Sequence, residues 1–257
     1  MDCMQTDRIV VKVGSNVLTR EDGTLDVTRV SALVDQIVAL KRAGNEVILV
    51  TSGAVACGRS ILKDAGGDLD SVEQRQVFSA VGQVRLMDLY HTLFNNYGLQ
   101  IGQVLTMKEN FLPGKSYDNQ KGCMEAMLRS SVVPIVNEND TVCITELMFT
   151  DNDELSGLVA EMTDAGTLCI LSNIDGIYKD IETKEVIRKV SSTEDMSKYI
   201  LPSKSSAGRG GMESKCHIAL DAASKGIKVI IANGKREHIL EDILIDNKDI
   251  PHTEFTK

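Results

Sequence analysis

Residues 132–162 read VVPIVNENDTVCITELMFTDNDELSGLVAEM, and this stretch organises the rest of the chain. Val132, Val133, Ile135 and Val136 predict a buried strand that runs straight into Asn137-Glu138-Asn139-Asp140. A second polar cluster, Asp151-Asn152-Asp153, opens a helix in which Leu155, Leu158, Val159 and Met162 recur at helical spacing. Any of those three residues can serve as the N-cap. Taken singly, each cluster reads as a strand end or a cap, because turns and caps are rich in Asn and Asp. Two such clusters in one βα connection point further, to the crevice beyond the carboxyl ends of the strands where open α/β sheets bind ligands. They suit a small polar molecule.

Working outward, Arg8 to Val13 predicts a strand followed by a tight turn, Gly14-Ser15-Asn16. Asp26 caps a helix carrying Val27, Val30, Val34, Ile37, Val38 and Lys41, closed by Gly44. Glu46 to Thr51 is a second strand, followed by Ser52-Gly53-Ala54 and a helix start of small residues. Residues 71–97 are helical in pattern, Gln100 to Leu105 form a third strand, and a helix runs from about Tyr117 to Arg129. Beyond residue 162, Thr167 to Leu171 is a strand leading into Ser172-Asn173-Ile174-Asp175-Gly176. Lys184 to Val190 suggests one short strand, and Pro202 to Gly211 a flexible loop. Helix Met212 to Lys225 then precedes strand Ile227 to Ile231. The tail from Asp246 reads as polar, fraying or capping an edge. Alternating strands and helices, with strands of β-branched residues, predict a three-layer α/β/α sandwich with a mainly parallel central sheet.

Composition narrows the function. The chain has 257 residues, 42% hydrophobic and 25% charged, with a formal net charge of −9. Binding to a nucleic-acid backbone needs a Lys/Arg patch, so nucleic acid is a poor partner for this chain. The six cysteines show no CxxC spacing and read as reduced, with neither a disulfide frame nor a metal site. The N-terminus has no signal-peptide core, and no apolar run reaches the length of a membrane span. The expectation is a cytoplasmic protein without a membrane partner.

Three features carry chemistry. Lys12 lies in an apolar strand two residues before the Gly14 turn. A buried ammonium there is costly unless it reaches an anion or water, so it is either a snorkelling edge lysine or a cation aimed at a phosphate. Gly208-Arg209-Gly210-Gly211-Met212-Glu213-Ser214-Lys215 places glycines before a helix, where backbone N–H groups and the helix field favour an anion. Arg209 and Lys215 oppose that field, a conflict that a bound polyphosphate resolves. Standard nucleotide motifs fail: Gly114-Lys115-Ser116 resembles the end of a P-loop, but Glu109 stands where its first glycine belongs. The four histidines show neither ligand spacing nor a nucleophile partner. Two lysines, glycine turns, Asp/Asn clusters and no histidine base suit phosphoryl transfer to an acceptor that is already anionic, where positioning and charge neutralisation outweigh proton abstraction.

At this point the sequence resembles the amino acid kinase family over nearly its whole length. The matching segments are VVKVGSNVLT (10–19), VILVTSGAVACGR (47–59), SAVGQ (79–83), VVPIVNENDTV (132–142), TDNDELSGLVA (150–160), DGIY (175–178) and GRGGMESK (208–215). Gly14-Ser15 takes the place of the double glycine of aspartate and acetylglutamate kinases, as in the branch acting on glutamate. The resemblance implies transfer of the ATP γ-phosphoryl group to the side-chain carboxylate of L-glutamate, the first step of proline biosynthesis, with Mg²⁺ carried by the nucleotide. By position it implies that Lys12 and Lys215 stabilise the transferring group and that Asp153 orients both. Ser52, Gly53, Asp140 and Asn152 match amino-acid-binding positions. Lys12, Gly14, Ser172, Asn173 and Arg209 through Lys215 (Gly210, Gly211, Met212, Glu213 and Ser214 between them) match nucleotide-binding segments. It further implies one kinase domain over 1–257, with residues to about 165 binding the amino acid and 166–257 the nucleotide; many relatives also carry a C-terminal RNA-binding-type (PUA) domain, for which this chain is expected to be too short. A homodimer or tetramer and feedback inhibition by proline are family expectations. Ser172-Asn173 where relatives carry Thr-Asp, Arg209 in place of Thr, and the divergent Met107 to Asn119 loop depart from the pattern. An acceptor other than glutamate (aspartate, N-acetylglutamate or a nucleoside monophosphate) and a sensor without catalysis are the competing readings.

Overall fold

A computed structural model of the chain describes residues 7–62, 69–143, 151–180, 182–196, 199 and 211–257. The first half comprises β1 (Arg8–Val13), α1 (Ser15–Leu18), α2 (Val27–Arg42), β2 (Glu46–Thr51), α3 (Ala54–Ile61), α4 (Ser71–Asn95) and β3 (Ile101–Thr106). A 3₁₀ turn (Lys108–Phe111), α5 (Lys115–Arg129), β4 (Val133–Glu138) and α6 (Asn152–Met162) follow. The second half adds β5 (Thr167–Ser172), β6 (Tyr178–Asp180), β7 (Glu185–Val186), β8 (Lys189–Ser191), α7 (Met212–Ser224), β9 (Lys228–Asn233), α8 (Ile239–Leu244) and β10 (Thr253–Thr256).

Eight strands form one sheet in the order β3-β4-β2-β1-β5-β9-β10-β8. The six from β3 to β9 are parallel, and β10 runs antiparallel to β9. Strand alternation sorts the core into two layers. Val11, Val13, Leu49, Ile135 and Leu171 face α2, α4 and α8. Val10, Ile48, Val50, Val136 and Ile170 face α5, α6 and α7. Each fully buried branched side chain contributes roughly 1.5–3 kcal/mol relative to exposure. The architecture is the three-layer α/β/α sandwich expected from the sequence.

Strand β1 lies at the reversal of strand order, with β2 on one side and β5 on the other. Helix α6 carries the chain from β4 across to β5 and packs over β1. Its N-terminus therefore stands at the switch point where such sheets bind ligands.

Several expectations change. Lys12 is not at an edge but in the central strand, paired to Val50 and Ile170. Asn137 and Glu138 do not follow β4 but belong to it, pairing with Leu105 and Thr106 of β3. The tail does not fray: β10 is inserted between β9 and β8, and Phe255 is fully buried. The segment read as one strand over Lys184 to Val190 is divided between β7, which pairs with β6 outside the main sheet, and β8. The α2 cap is as read, Asp26 accepting the Arg29 N–H at 3.3 Å. Val27, however, is exposed, and Leu33 and Leu40 fill the stripe.

Candidate functional site

Alternation along β1 puts Lys12 on the face opposite Val11 and Val13, beneath α6 and α7. Its ammonium reaches Asp153 Oδ1 at 2.5 Å, and Lys215 Nζ reaches the other oxygen, Oδ2, at 3.0 Å. Asp153 is 1% exposed and Lys12 5%. Both contacts are ion pairs within 3.0 Å. Burial pushes the Asp153 carboxyl up, but the charges of Lys12 and then Lys215 outweigh it and hold the carboxyl below its usual range. Two ammonium groups thus face one carboxylate. Part of the conflict between Lys215 and its helix field is thus relieved by Asp153 itself.

The cap of α6 is Asp151. Its Oδ1 accepts the N–H groups of Asp153 and Glu154, both at 2.9 Å, while Ser214 donates to its Oδ2 at 2.7 Å. One carboxylate therefore caps α6 and ties it to the first turn of α7, which sets Lys215 opposite Lys12. Gly14 leaves room above the ammonium: a Cβ there would lie 3.4 Å from Lys12 Nζ. Its N–H donates to Leu171 O at 3.4 Å, which brings the end of β5, with Ser172 and Asn173, alongside. Gly211 is the N-cap of α7 without a side-chain cap bond. Met212 packs on the core and Glu213 is exposed. Arg209 and Gly210 lie outside the described residues.

Asn152 joins this end to a second polar group. Its Nδ2 donates to Thr51 O at 3.0 Å, Ser52 Oγ at 2.8 Å and Asn137 Oδ1 at 3.2 Å. The Glu138 N–H also donates to Asn137 Oδ1, at 2.9 Å, so that oxygen is fixed as an acceptor. Asn137 Nδ2 must then donate, and does so to Gln83 Oε1 at 3.1 Å. With its amide committed as donor, Asn152 offers its oxygen as the remaining polar atom. Gly53 adopts φ +104° at the start of α3, a left-handed conformation that turns the backbone beside Ser52 at little cost only for glycine.

Asp140 and Glu138 form the second charged group, and Arg75 of α4 holds both. Its Nε and Nη2 donate to Asp140 Oδ1 at 2.8 and 2.5 Å, and Nη2 also reaches Glu138 Oε2 at 3.0 Å. Ser79 donates to Asp140 Oδ2 at 3.2 Å, and Gln76 to Thr141 O at 2.8 Å. Here one guanidinium faces two carboxylates. A groove of about 500 Å³ opens beside them, lined among others by Ser79, Gln83, Val84, Leu105 and Asp140.

The structure brings Lys12, Lys215, Asp153, Asn152, Ser52 and Gly53 together, while Asp140 stands in the neighbouring group held by Arg75 and Ser79. Reading the sequence missed Arg75, Ser79, Gln83 and the Ser214–Asp151 link. The SAVGQ segment was a signal for two of these, since a Ser and a Gln four apart lie on one helix face. The described cysteines are free thiols. Burial pushes Cys169 up to about 12 and Cys216 up to about 11, so neither supplies a thiolate near neutral pH.

A parallel sandwich with an acid-bridged lysine pair at its switch point defines an α/β protein built to hold an anionic ligand over β1. The chain belongs to the amino acid kinase family, whose model matches residues 7–233. It is 58% identical over 251 residues to a protein of Bacteroides thetaiotaomicron named glutamate 5-kinase, covering 96% of this chain and 69% of that one. A glutamate 5-kinase of Chlorobaculum tepidum is 50% identical over 238 residues, covering 92% and 66%. The chain thus spans about two thirds of the length of these curated relatives. Its fold is similar to that of UMP kinase from Ureaplasma parvum (TM-score 0.65, 15% identity, 98% of this chain and 100% of the other). It is also similar to carbamate kinase from Giardia lamblia bound to AMP-PNP (TM-score 0.71, 15% identity, 98% and 99%).

Proposed function

We propose that the chain transfers the γ-phosphoryl group of ATP to the side-chain carboxylate of L-glutamate, giving L-glutamyl 5-phosphate for proline biosynthesis. The observation that carries this reading is the Lys12–Asp153–Lys215 bridge. A carboxylate oxygen attacks the γ-phosphorus, a new P–O bond forms, and the bond to the β-bridging oxygen breaks with its electron pair leaving on ADP. No proton moves, so no general base is needed. The catalytic demand is neutralisation of charge on the transferring group. Lys12 and Lys215 supply it from opposite sides, and Asp153 holds their spacing.

The amino acid lies with its reacting carboxylate toward Lys12, its ammonium toward Asp140 and the Asn152 oxygen, and further oxygens on Ser52 and the backbone near Gly53. The nucleotide lies over Gly14, Ser172, Asn173 and the segment from Arg209 to Lys215. Residues 1–257 act as one kinase domain, amino acid toward the first 165 residues and nucleotide toward the remainder. Mg²⁺ enters with the ATP phosphates; the described residues gather no three-ligand metal cluster of their own. No described helix is long and apolar enough to cross a membrane.

The test is ADP release from Mg-ATP with hydroxylamine present, comparing L-glutamate, L-aspartate and UMP. Hydroxylamine traps an acyl phosphate as a coloured hydroxamate. Hydroxamate from glutamate supports the reading. Turnover confined to aspartate or UMP moves the acceptor, and ATP binding without turnover on any acceptor replaces the enzyme with a sensor.

A further inference from the structure

We propose that Arg75 is an internal counter-cation that holds the ammonium subsite in the empty enzyme and is exchanged for the amino group of the substrate. The inference rests on the reading of the acceptor as an α-amino acid. Both oxygens of Asp140 are already engaged, Oδ1 by Nε and Nη2 of Arg75 and Oδ2 by Ser79. An incoming ammonium, with three donors and no acceptor, finds Oδ1 filled by the guanidinium and on Oδ2 only the site that Ser79 leaves, beside a like charge, until the guanidinium moves.

The arrangement is suited to such an exchange. The Glu138 and Asp140 side chains are 6% and 7% exposed, whereas that of Arg75 is 24% exposed. The carboxylates are thus fixed and the cation is the mobile partner, on a long flexible stem. The turn does not depend on Arg75 for its shape. Gln76 holds Thr141 O, Thr141 donates to Asn139 Oδ1 at 2.6 Å, and Ser79 holds Asp140. Through Nη2, Arg75 can retain Glu138 while releasing Asp140.

Exchange also confers selectivity. While Arg75 stays, the buried Asp140 carboxylate never stands unneutralised, a state that is costly in a low-dielectric site. Only a ligand that brings its own cation can take its place on Asp140. An acceptor with an acylated amine, or none, leaves the guanidinium where it is. Arg75 in this account is a specificity residue that competes with the substrate, the opposite of one that assists binding.

The test is the glutamate saturation curve of Arg75→Ala and Arg75→Lys at saturating Mg-ATP, with and without millimolar ethylguanidinium. Removing a charge-assisted competitor predicts a KM about tenfold lower in Arg75→Ala, with kcat within about twofold. Added ethylguanidinium should then compete with glutamate in Arg75→Ala and leave the wild type unaffected, while Arg75→Lys stays near the wild-type KM. A KM that is unchanged or raised in Arg75→Ala, or lowered by ethylguanidinium, overturns the exchange. Should Arg75→Ala not fold, Arg75→Gln with the same additive gives the same two outcomes. A wild type that does not phosphorylate glutamate defeats the substrate reading instead, which separates the two failures.

Discussion

The two charged groups of the cleft are inverses of one another. Over β1, two lysines share one aspartate; beside α4, one arginine spans two carboxylates. Counted over these groups alone, the first is cation-rich and the second carboxylate-rich. Asn152 stands between them, next in sequence to Asp153 and hydrogen-bonded to Asn137, the neighbour of Glu138. A ligand that is anionic at one end and cationic at the other is the complement of this arrangement, and an amino acid with a side-chain carboxylate has that form.

Breaking the positive end should have the largest consequences. Asp153→Asn leaves two buried ammonium groups facing each other, and loss of one partner of a buried ion group costs about 3–5 kcal/mol. Because the Asp153 carboxyl is held below its usual range, its contribution is complete above the unfolded value of about 3.9 and is lost as pH falls through the folded value. Thermal melts should therefore show a gap between wild type and Asp153→Asn that is constant near neutral pH and narrows only in strong acid. Lys215→Ala should lower kcat by about 10²–10³ with a small change in glutamate KM, since its contact strengthens as charge develops on the transferring group. Steady-state kinetics in which only KM rose would remove Lys215 from the transition state.

Breaking the negative end should give the reverse pattern at smaller size. Asp140→Asn is expected to raise glutamate KM about ten- to hundredfold, the worth of a charge-assisted hydrogen bond, with kcat little altered. The α3–α4 contact that carries Ser79 and Gln83 to the cleft offers the mildest perturbation. A Cβ at Gly82 would lie 1.8 Å from Ala54 O, so Gly82→Ala should destabilise by about 1–3 kcal/mol through overpacking. Calorimetry should register this as a fall in Tm of roughly 2–10 °C.

The two ends also differ in how far sequence revealed them. Lys12 breaks an apolar strand, Asp151-Asn152-Asp153 crowds three candidate caps into one place, and Lys215 opposes the field of its own helix. Each is a local inconsistency, and such conflicts mark functional positions. Arg75 breaks no rule: on a 25-residue helix with a proper capping box it resembles any solvated side chain. Only tertiary packing, which brings α4 beside the end of β4, gives it meaning. Asn137 and Glu138 looked like a turn because polar residues seldom occupy a central strand; their hydrogen bonds across the cleft make that burial tolerable. The last strand was illegible for a related reason. Thr253, Glu254, Phe255 and Thr256 hold too few apolar residues to signal a strand, and their place is set by β9 and β8.

The central claim is that the cleft reads a cation and an anion at opposite ends of one molecule. The most direct test is the ratio of kcat/KM for L-glutamate to that for N-acetyl-L-glutamate, two acceptors with the same reacting carboxylate. Acetylation replaces the ammonium with a neutral, bulkier amide, and the loss of the charge-assisted contact predicts a ratio on the order of 10² or greater in favour of glutamate. Equal kcat/KM values would mean that Asp140, Glu138 and Arg75 do not read the amino group, and the two-ended account would be wrong.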